Sequence, residues 1–176
     1  NSSAASDVYK RQNKLLDFLS PNKGSKFLDI ACGKGRHSKY IHSKGYDVVG
    51  FDLSEQSINY ANTFKEKGLE FHTHDMRKNF KTSCFDYALN LFTSFGYFEN
   101  QKDELKALKS SANNLKQGGS IVIDFLNREK VIANLIPFET KEIENIKFSI
   151  SKEIVDNKVI KRIDFKDKGV DYSFQE

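Results

Sequence analysis

The sequence of 176 residues has few cysteines, no long apolar run and little excess charge of either sign. Its two cysteines, Cys32 and Cys84, form no CxxC pair, which argues against a disulfide scaffold and favours a reducing, cytoplasmic setting. No stretch is apolar for long enough to span a bilayer, and no charged-then-apolar signal segment stands at the start. The net charge of +4 is small and the basic residues are scattered, so we expect neither a nucleic-acid partner nor a membrane partner.

The apolar content of 38% and the length are those of a globular chain with one main core.

Both ends of the sequence differ from what a complete native chain would show. Residues 7–12 resemble the translation of a transposase mosaic-end adapter, and we expect residues 1–12 not to be native. The alternating pattern near the C-terminus stops at Glu176 without a closing helix. We therefore expect the natural chain to be truncated at both ends.

The most informative stretch is residues 27–38, Phe-Leu-Asp-Ile-Ala-Cys-Gly-Lys-Gly-Arg-His-Ser. Its pattern predicts a buried strand, a turn with two glycines and the first turn of a helix. Gly33 and Gly35 allow a sharp bend and the approach of a ligand where a Cβ would collide. The helix that begins at Arg36 points its N-terminal N–H groups at the same place. This unit predicts a nucleotide site at the carboxyl edge of a parallel sheet.

Five apolar segments alternate with helical patterns along the first two thirds of the chain. The predicted strands are residues 26–31, 46–52, 69–74, 85–92 and 120–126. The predicted helices are residues 13–20, 36–44, 54–64 and 103–117, and the last is expected to bury Leu105, Leu108, Ala112 and Leu115. This alternation predicts an α/β fold, a Rossmann-like doubly wound, mostly parallel sheet with helices on both faces.

The pattern changes after residue 127. A short helix over residues 129–135 is followed by apolar residues that alternate with polar ones over residues 146–150, 163–165 and 170–174. Turns are expected at residues 156–157 and 167–169, which together predict an antiparallel meander. We therefore divide the chain into a nucleotide-binding core, residues 13–130, and an antiparallel segment, residues 131–176. By its position that segment is a candidate lid or homodimer surface.

Three carboxylates, Asp29, Asp52 and Asp75, stand at the ends of successive predicted strands. In a parallel sheet these ends share one edge, beside the glycine turn. Asp52 follows Gly33 at about the ~20-residue spacing that places a carboxylate on ribose hydroxyls. For any one carboxylate, helix capping or exposure to solvent is an equally good interpretation. Three of them in register with a glycine turn favour a nucleotide.

Taken together, these motifs resemble a class I S-adenosylmethionine-dependent methyltransferase. The resemblance covers about residues 15–130 and rests on residues 28–38, 49–54 with 57–58, 75–77, 85–98 and 115–119. It implies S-adenosylmethionine as cofactor and transfer of its methyl group to an unidentified acceptor. Because no basic groove is visible, we expect that acceptor to be a small molecule.

The resemblance also implies which residues bind the cofactor. Asp29 and the backbone of residues 33–35 would hold the methionine part, and Asp52 would bind both ribose hydroxyls with Leu53 on the adenine. The full set of implied cofactor-binding residues is Asp29, Ala31, Cys32, Gly33, Gly35, Asp52, Leu53, Asp75, Met76, Asn90 and Leu91. In this set Asp75 would face the adenine amino group beside Met76, and Asn90 and Leu91 would flank the methyl group.

Two other functions stay open at this point. A nicotinamide-dependent oxidoreductase requires a third glycine at position 38, where Ser38 stands, and gives Asp75 and Met76 no role. A noncatalytic module that binds S-adenosylmethionine or supports oligomerisation would have the same motifs. Binding of NAD, or of the donor without methyl transfer, distinguishes these from a methyltransferase.

Methyl transfer depends mainly on alignment of donor and acceptor, so the sequence does not identify a catalytic residue. His37, Asn90 and Tyr97 are the candidates, although a histidine on a helix face explains His37 more simply. The aromatic segment 92–98 either contacts the acceptor or belongs to the core. His72 and His74 have no further ligand cluster beside them, and we expect no metal site.

Overall fold

The computed structural model describes residues 2–92, 94–156 and 158–176. The chain divides into two compact units, Asn1–Phe125 and Leu126–Glu176. The helices and strands of the first unit are α1 (Ser2–Leu19), β1 (Lys26–Ile30), α2 (Arg36–Ser43), β2 (Asp47–Asp52), α3 (Glu55–Ala61), β3 (Leu69–Thr73), β4 (Phe85–Asn90), α4 (Gln101–Asn114) and β5 (Leu115–Ile123). None of the helices in the described ranges is long and apolar enough to cross a membrane.

The five strands of the first unit form one parallel sheet in the order β3-β2-β1-β4-β5. The predicted doubly wound sheet is therefore confirmed. The chain adds strands on one side of β1 up to β3 and then crosses to the other side with β4. This reversal creates a crevice outside the carboxyl ends of β1 and β4, which is where open α/β sheets bind ligands.

Both faces of β1 are buried. Phe27 and Leu28 are consecutive and fully buried, yet they lie in two different apolar clusters because successive strand residues point to opposite faces. The first cluster includes Ile41 of α2 and Ile58 of α3, and α1 packs against it through its leucines. The second includes Phe51 and residues of β4. This two-sided burial is what the apolar runs in the sequence predicted.

The predicted buried stripe of α4 is wrong. Leu105 and Leu108 are exposed, and Leu115 already belongs to β5. The buried residues are instead the small or polar Ala107, Ser110, Ser111 and Asn114. Asn114 is fully buried because its Oδ1 accepts hydrogen bonds from the backbone of residues 80 and 81, and Ser110 donates to Lys78 O at 2.6 Å. Hydrogen bonds to a distant loop therefore decide which face is buried.

Several boundaries also differ from the predicted ones. β4 ends at Asn90, two residues early, and Phe92 beyond it has a positive φ of 60°. β5 begins at Leu115, which pairs with Phe85, and the pairing then shifts to Tyr87 and Ser120. The irregular part of the strand between these two pairs contains Gly118, whose φ is +79°. The two glycines that were expected to follow the helix lie inside an irregular strand.

The second unit is the predicted meander with one more strand. It consists of α5 (Arg128–Ala133), β6 (Phe138–Ile143), β7 (Ile146–Val155), β8 (Lys158–Asp167) and β9 (Val170–Gln175), and the four strands pair antiparallel in chain order. β6 was missed because its interior, Glu-Thr-Lys-Glu, carries no apolar alternation. The turn expected at 156–157 lies partly outside the described residues, since Asn157 is not among them.

One face of this second sheet is aromatic. The ring of Phe165 stacks on that of Tyr172 with centroids 5.0 Å apart, and it lies tilted against the ring of Phe148 with centroids 4.8 Å apart. Tyr172 and Phe174 remain 40% and 57% exposed. The alternation of apolar and polar residues in β7, β8 and β9 thus produces a one-sided sheet, as is usual for antiparallel strands.

Candidate nucleotide site at the carboxyl edge of the sheet

The turn after β1 is built by three residues with positive φ, Ala31, Gly33 and Gly35. The two glycines serve different purposes. A Cβ on Gly35 would lie 2.6 Å from the ring of Phe71, so packing alone requires glycine there. A Cβ on Gly33 would meet nothing within 4 Å. The open space over this turn therefore lies at Gly33, and the expectation of ligand approach applies to that glycine.

Asp52, the last residue of β2, binds this turn directly. Its Oδ2 accepts a hydrogen bond from Gly33 N at 2.8 Å, and its Oδ1 accepts one from Ser54 N, also at 2.8 Å. Ser54 in turn caps α3, since its Oγ accepts from Ser57 N. A carboxylate has about four lone-pair positions, so each oxygen of Asp52 retains one acceptor position. Leu53 beside it is 70% exposed, which leaves an apolar side chain open at the site.

Asp29 lies deeper, within β1, and is 2% exposed. Burial raises its pKa to about 6, against the opposing effect of a hydrogen bond donated by Ser38 Oγ at 2.6 Å. Ser38 occupies the place of a third glycine and thus has a specific function that the sequence did not reveal. A side chain on Gly50 would collide with Cys32 Sγ at 2.8 Å and crowd Ser38. A buried carboxylate with a raised pKa is typical of a binding site.

Replacing Asp29 by asparagine is expected to change how stability depends on pH. Because the pKa of Asp29 is higher in the folded chain, the folded chain keeps a proton that the unfolded chain releases above pH 4. The stability of the fold that comes from this proton is therefore full below pH 4 and is lost as the pH rises through 6. The amide introduced by Asp29→Asn would stay neutral and still accept from Ser38. We expect the variant to gain roughly 3 kcal/mol relative to the original chain between pH 4 and pH 7. Urea unfolding across that range measures it, and parallel curves would contradict the buried charge.

Asn90 ends β4 and is 2% exposed. Its Nδ2 donates to Ile30 O at 3.1 Å and so connects the ends of the two strands that flank the crevice. Its Oδ1 is buried and has no hydrogen-bond partner among the described residues. A buried acceptor without a donor costs about 1–3 kcal/mol, which makes this oxygen a position where a ligand donor is expected. Leu91 packs against the first apolar cluster.

Asp75 and Met76 follow β3. The carboxylate of Asp75 is held by Arg77, whose guanidinium donates to both oxygens, and these bonds lower the pKa of Asp75. Met76 packs against the cluster that contains Leu28 and Phe51. Both residues therefore lie at the predicted edge of the sheet, and Asp75 is ionised and fixed by its neighbour.

The catalytic candidates have different surroundings. His37 is 8% exposed, stacks on Phe92 at 4.7 Å and contacts the amide of Gln12 through Nδ1. Burial, followed by the charge of Arg36, lowers the pKa of His37 to about 4, so its imidazole is neutral at pH 7. Tyr97 is 66% exposed. Within the described residues, no hydrogen bond joins His37 to Tyr97, and the partner of His37 is Gln12.

Cys32 is a buried thiol in the turn. Burial raises its pKa, and the neighbouring charges of Asp29 and Asp52 add to the effect, so the thiol stays protonated. His72 and His74 interact with Glu70 and with Lys78 O. In the described parts of the chain no three side chains of the metal-ligand types converge.

Residues 27–119 match the family model described as a methyltransferase domain. The dTDP-3-amino-3,4,6-trideoxy-alpha-D-glucopyranose N,N-dimethyltransferase of Streptomyces venezuelae is 29% identical over 58% of this chain and 43% of its own length. The ubiquinone biosynthesis O-methyltransferase of Aliivibrio fischeri (strain MJ11) is 28% identical over 67% of this chain and 51% of its own. The chain thus spans about half the length of the curated relatives it matches.

A solved structure with the same fold is an S-adenosylmethionine-dependent methyltransferase from Clostridium acetobutylicum ATCC 824. It superimposes with a TM-score of 0.74 and 22% identity, and the match covers 96% of this chain and 70% of that one. At this identity the likeness concerns the fold.

Proposed function

The chain belongs to the methyltransferase domain family, and from that premise we propose that it transfers a methyl group from S-adenosylmethionine, the cofactor of this family, to a small-molecule acceptor. The observation that carries the proposal is the Asp52 carboxylate bonded to Gly33 N beneath open space at the switch point of the sheet. This arrangement offers a diol-binding carboxylate next to a turn that a ligand can approach.

The residues present fit S-adenosylmethionine part by part. The buried Asp29 carboxylate and Asn90 Oδ1, which has no hydrogen-bond partner within the described ranges, offer two acceptors to the cationic methionine end. Asp52 keeps an acceptor position on each oxygen for the two ribose hydroxyls. The exposed side chain of Leu53 offers an apolar surface to the adenine. We propose that the rest of the set also contacts the donor, namely Ala31, Cys32, Gly33, Gly35, Asp75, Met76 and Leu91.

The bound donor supplies an activated methyl group on a sulfonium centre. The chain then has to bind the donor, hold the acceptor in line and exclude water, which requires no dedicated base for an amine acceptor. His37 is a poor general base because a pKa of about 4 lies far below neutral pH. We therefore propose that His37 serves packing, through its stacking on Phe92. Catalysis then depends on the alignment of donor and acceptor at the end of β4.

The small-molecule acceptor is our preference because the named relatives include an amino-sugar N,N-dimethyltransferase. The division into a core of residues 13–130 and an auxiliary segment of residues 131–176 stays a prediction, as does a homodimer through the meander. Sedimentation velocity of the chain tests the homodimer, for which the exposed aromatic face of the second sheet is the candidate surface.

Methyl transfer is tested by incubating the chain with S-adenosylmethionine and a panel of amines, amino sugars and hydroxylated aromatics. We expect release of S-adenosylhomocysteine with at least one acceptor, above the rate without acceptor. Donor binding without release across the panel would favour the noncatalytic module instead. The Asp52→Ala chain serves as the blank, because we expect it not to hold the donor.

A further inference from the structure

Arg77 makes several hydrogen bonds near the proposed adenine position. Its backbone N–H donates to Asp75 Oδ1 at 2.9 Å. Its Nε donates to both carboxylate oxygens, at 3.0 and 3.1 Å, and its second terminal nitrogen donates to Oδ2 at 2.7 Å. These contacts fix both the position and the rotation of the Asp75 carboxylate. A side chain held by its own backbone turn and by a planar fork has little freedom left.

Two further contacts fix Arg77 itself. Its remaining terminal nitrogen donates to Asp103 Oδ2 at 3.1 Å, in the first turn of α4. Its guanidinium carbon lies 5.5 Å from the ring centroid of Phe98. Arg77 therefore joins the loop after β3 to α4 and to the segment after β4. The Arg77 side chain is partly exposed.

Resting on the proposed function, we propose that Arg77 is a positioning residue that orients Asp75 to recognise the amino group of the donor's adenine. Asp103 and Phe98 anchor the guanidinium in this role. Because Arg77 Nε is shared between the two oxygens and lies nearer to Oδ1, one acceptor position remains on Oδ2 of Asp75. A carboxylate fixed in this orientation accepts a hydrogen bond there from an exocyclic amino group and repels a carbonyl oxygen at the same place. A carboxylate that is free to rotate discriminates less well between an amino group and a carbonyl oxygen, because it can turn its charge towards solvent.

The experiment compares S-adenosylhomocysteine with its 6-oxo analogue S-inosylhomocysteine, in which a carbonyl replaces the amino group and the adjacent N1 gains a proton, by calorimetric titration. For the original chain we expect the amino compound to bind about 100-fold more tightly, the value of one hydrogen bond to a charged group. For Arg77→Met we expect this ratio to fall to about tenfold or less. Because both ligands are measured on the same preparation, a partly unfolded sample changes the stoichiometry but leaves the ratio of Kd values intact.

Matched variants separate positioning from general effects of charge. Lys78→Met removes a neighbouring cation whose side chain does not bind Asp75, and we expect it to keep the full ratio. Arg77→Lys keeps the charge but cannot bridge both Asp75 oxygens and Asp103, so we expect an intermediate ratio. Asp103→Asn weakens the outer anchor of Arg77, together with the ion pair between Asp103 and Lys106, but leaves the bonds from Arg77 to Asp75 in place. It should therefore lower the ratio less than Arg77→Met does.

Three results would overturn the inference, and one of them concerns the proposed function. An unchanged ratio in Arg77→Met would show that Asp75 needs no positioning. Tighter binding of both ligands to that variant would show that the guanidinium competes with the donor. If the original chain binds neither ligand, the proposed function itself fails and this role of Arg77 fails with it.

Discussion

Replacing Asp52 by alanine is expected to weaken the binding of S-adenosylhomocysteine by at least about 100-fold, because two hydrogen bonds from ribose hydroxyls to a charged group are lost. The same carboxylate accepts from Gly33 N and Ser54 N, so its removal also loosens the glycine turn. Both effects act in the same direction on affinity. Isothermal titration of the two chains with the same ligand measures the loss.

The matched control for this variant is Asp47→Ala. Asp47 opens the same strand, and as an exposed aspartate at its opposite end it lies away from the carboxyl edge. We expect its affinity to match that of the original chain. Circular dichroism of Asp52→Ala should retain the spectrum of the folded chain. A folded Asp52→Ala chain with unchanged affinity would remove Asp52 from the site.

The second large effect separates the two glycines of the turn. Gly35→Ala is expected to lower the free energy of unfolding by about 3 kcal/mol, since φ is +74° and the new Cβ would lie 2.6 Å from Phe71. Gly33→Ala carries only the backbone cost of a positive φ, about 1 kcal/mol, because its Cβ meets nothing within 4 Å. Its expected effect is at least a tenfold loss of donor affinity, since the methyl group would project into the space we assign to the ligand.

Gly24→Ala is the control for this pair. Gly24 also has a positive φ, +82°, and open space around its Cβ position, but it precedes β1 and lies at the amino edge of the sheet. We expect it to lose the same stability as Gly33→Ala while keeping full affinity. Urea unfolding and ligand titration of the three variants provide both quantities. Equal affinities of Gly33→Ala and Gly24→Ala would place the ligand away from the turn.

Local patterns were sufficient to predict the sheet and which residues lie at its carboxyl edge. The apolar run at residues 26–31 and the glycines after it predict β1 and the turn, because strand alternation and positive φ are properties of neighbouring residues. Asp52 was expected beside the glycine turn because the ends of parallel strands share one edge, and Gly33 N does donate to that carboxylate. These features depend on short segments and on the rule that parallel strands end at one edge.

The features that could not be predicted depend on partners far apart in sequence. The leucines of α4 satisfy helical periodicity, yet Asn114 and Ser110 are buried because loop residues 78–81 supply their hydrogen-bond partners. Ser38 was recognised only as a departure from a glycine, and its bond to Asp29 requires the folded turn. Arg77 and Asp103 are 26 residues apart, and no local pattern connects them.

The central claim is that this chain binds S-adenosylmethionine and not a dinucleotide. Thermal unfolding of the chain alone, with S-adenosylhomocysteine and with NAD, tests it most directly. At about 100 times its Kd, a ligand of the folded state adds about 2.7 kcal/mol. We predict a raised midpoint with S-adenosylhomocysteine and no change with NAD. In Asp52→Ala the same concentration of S-adenosylhomocysteine should add at most about 0.4 kcal/mol, since it would not exceed about one Kd. A raised midpoint with NAD alone would contradict the account.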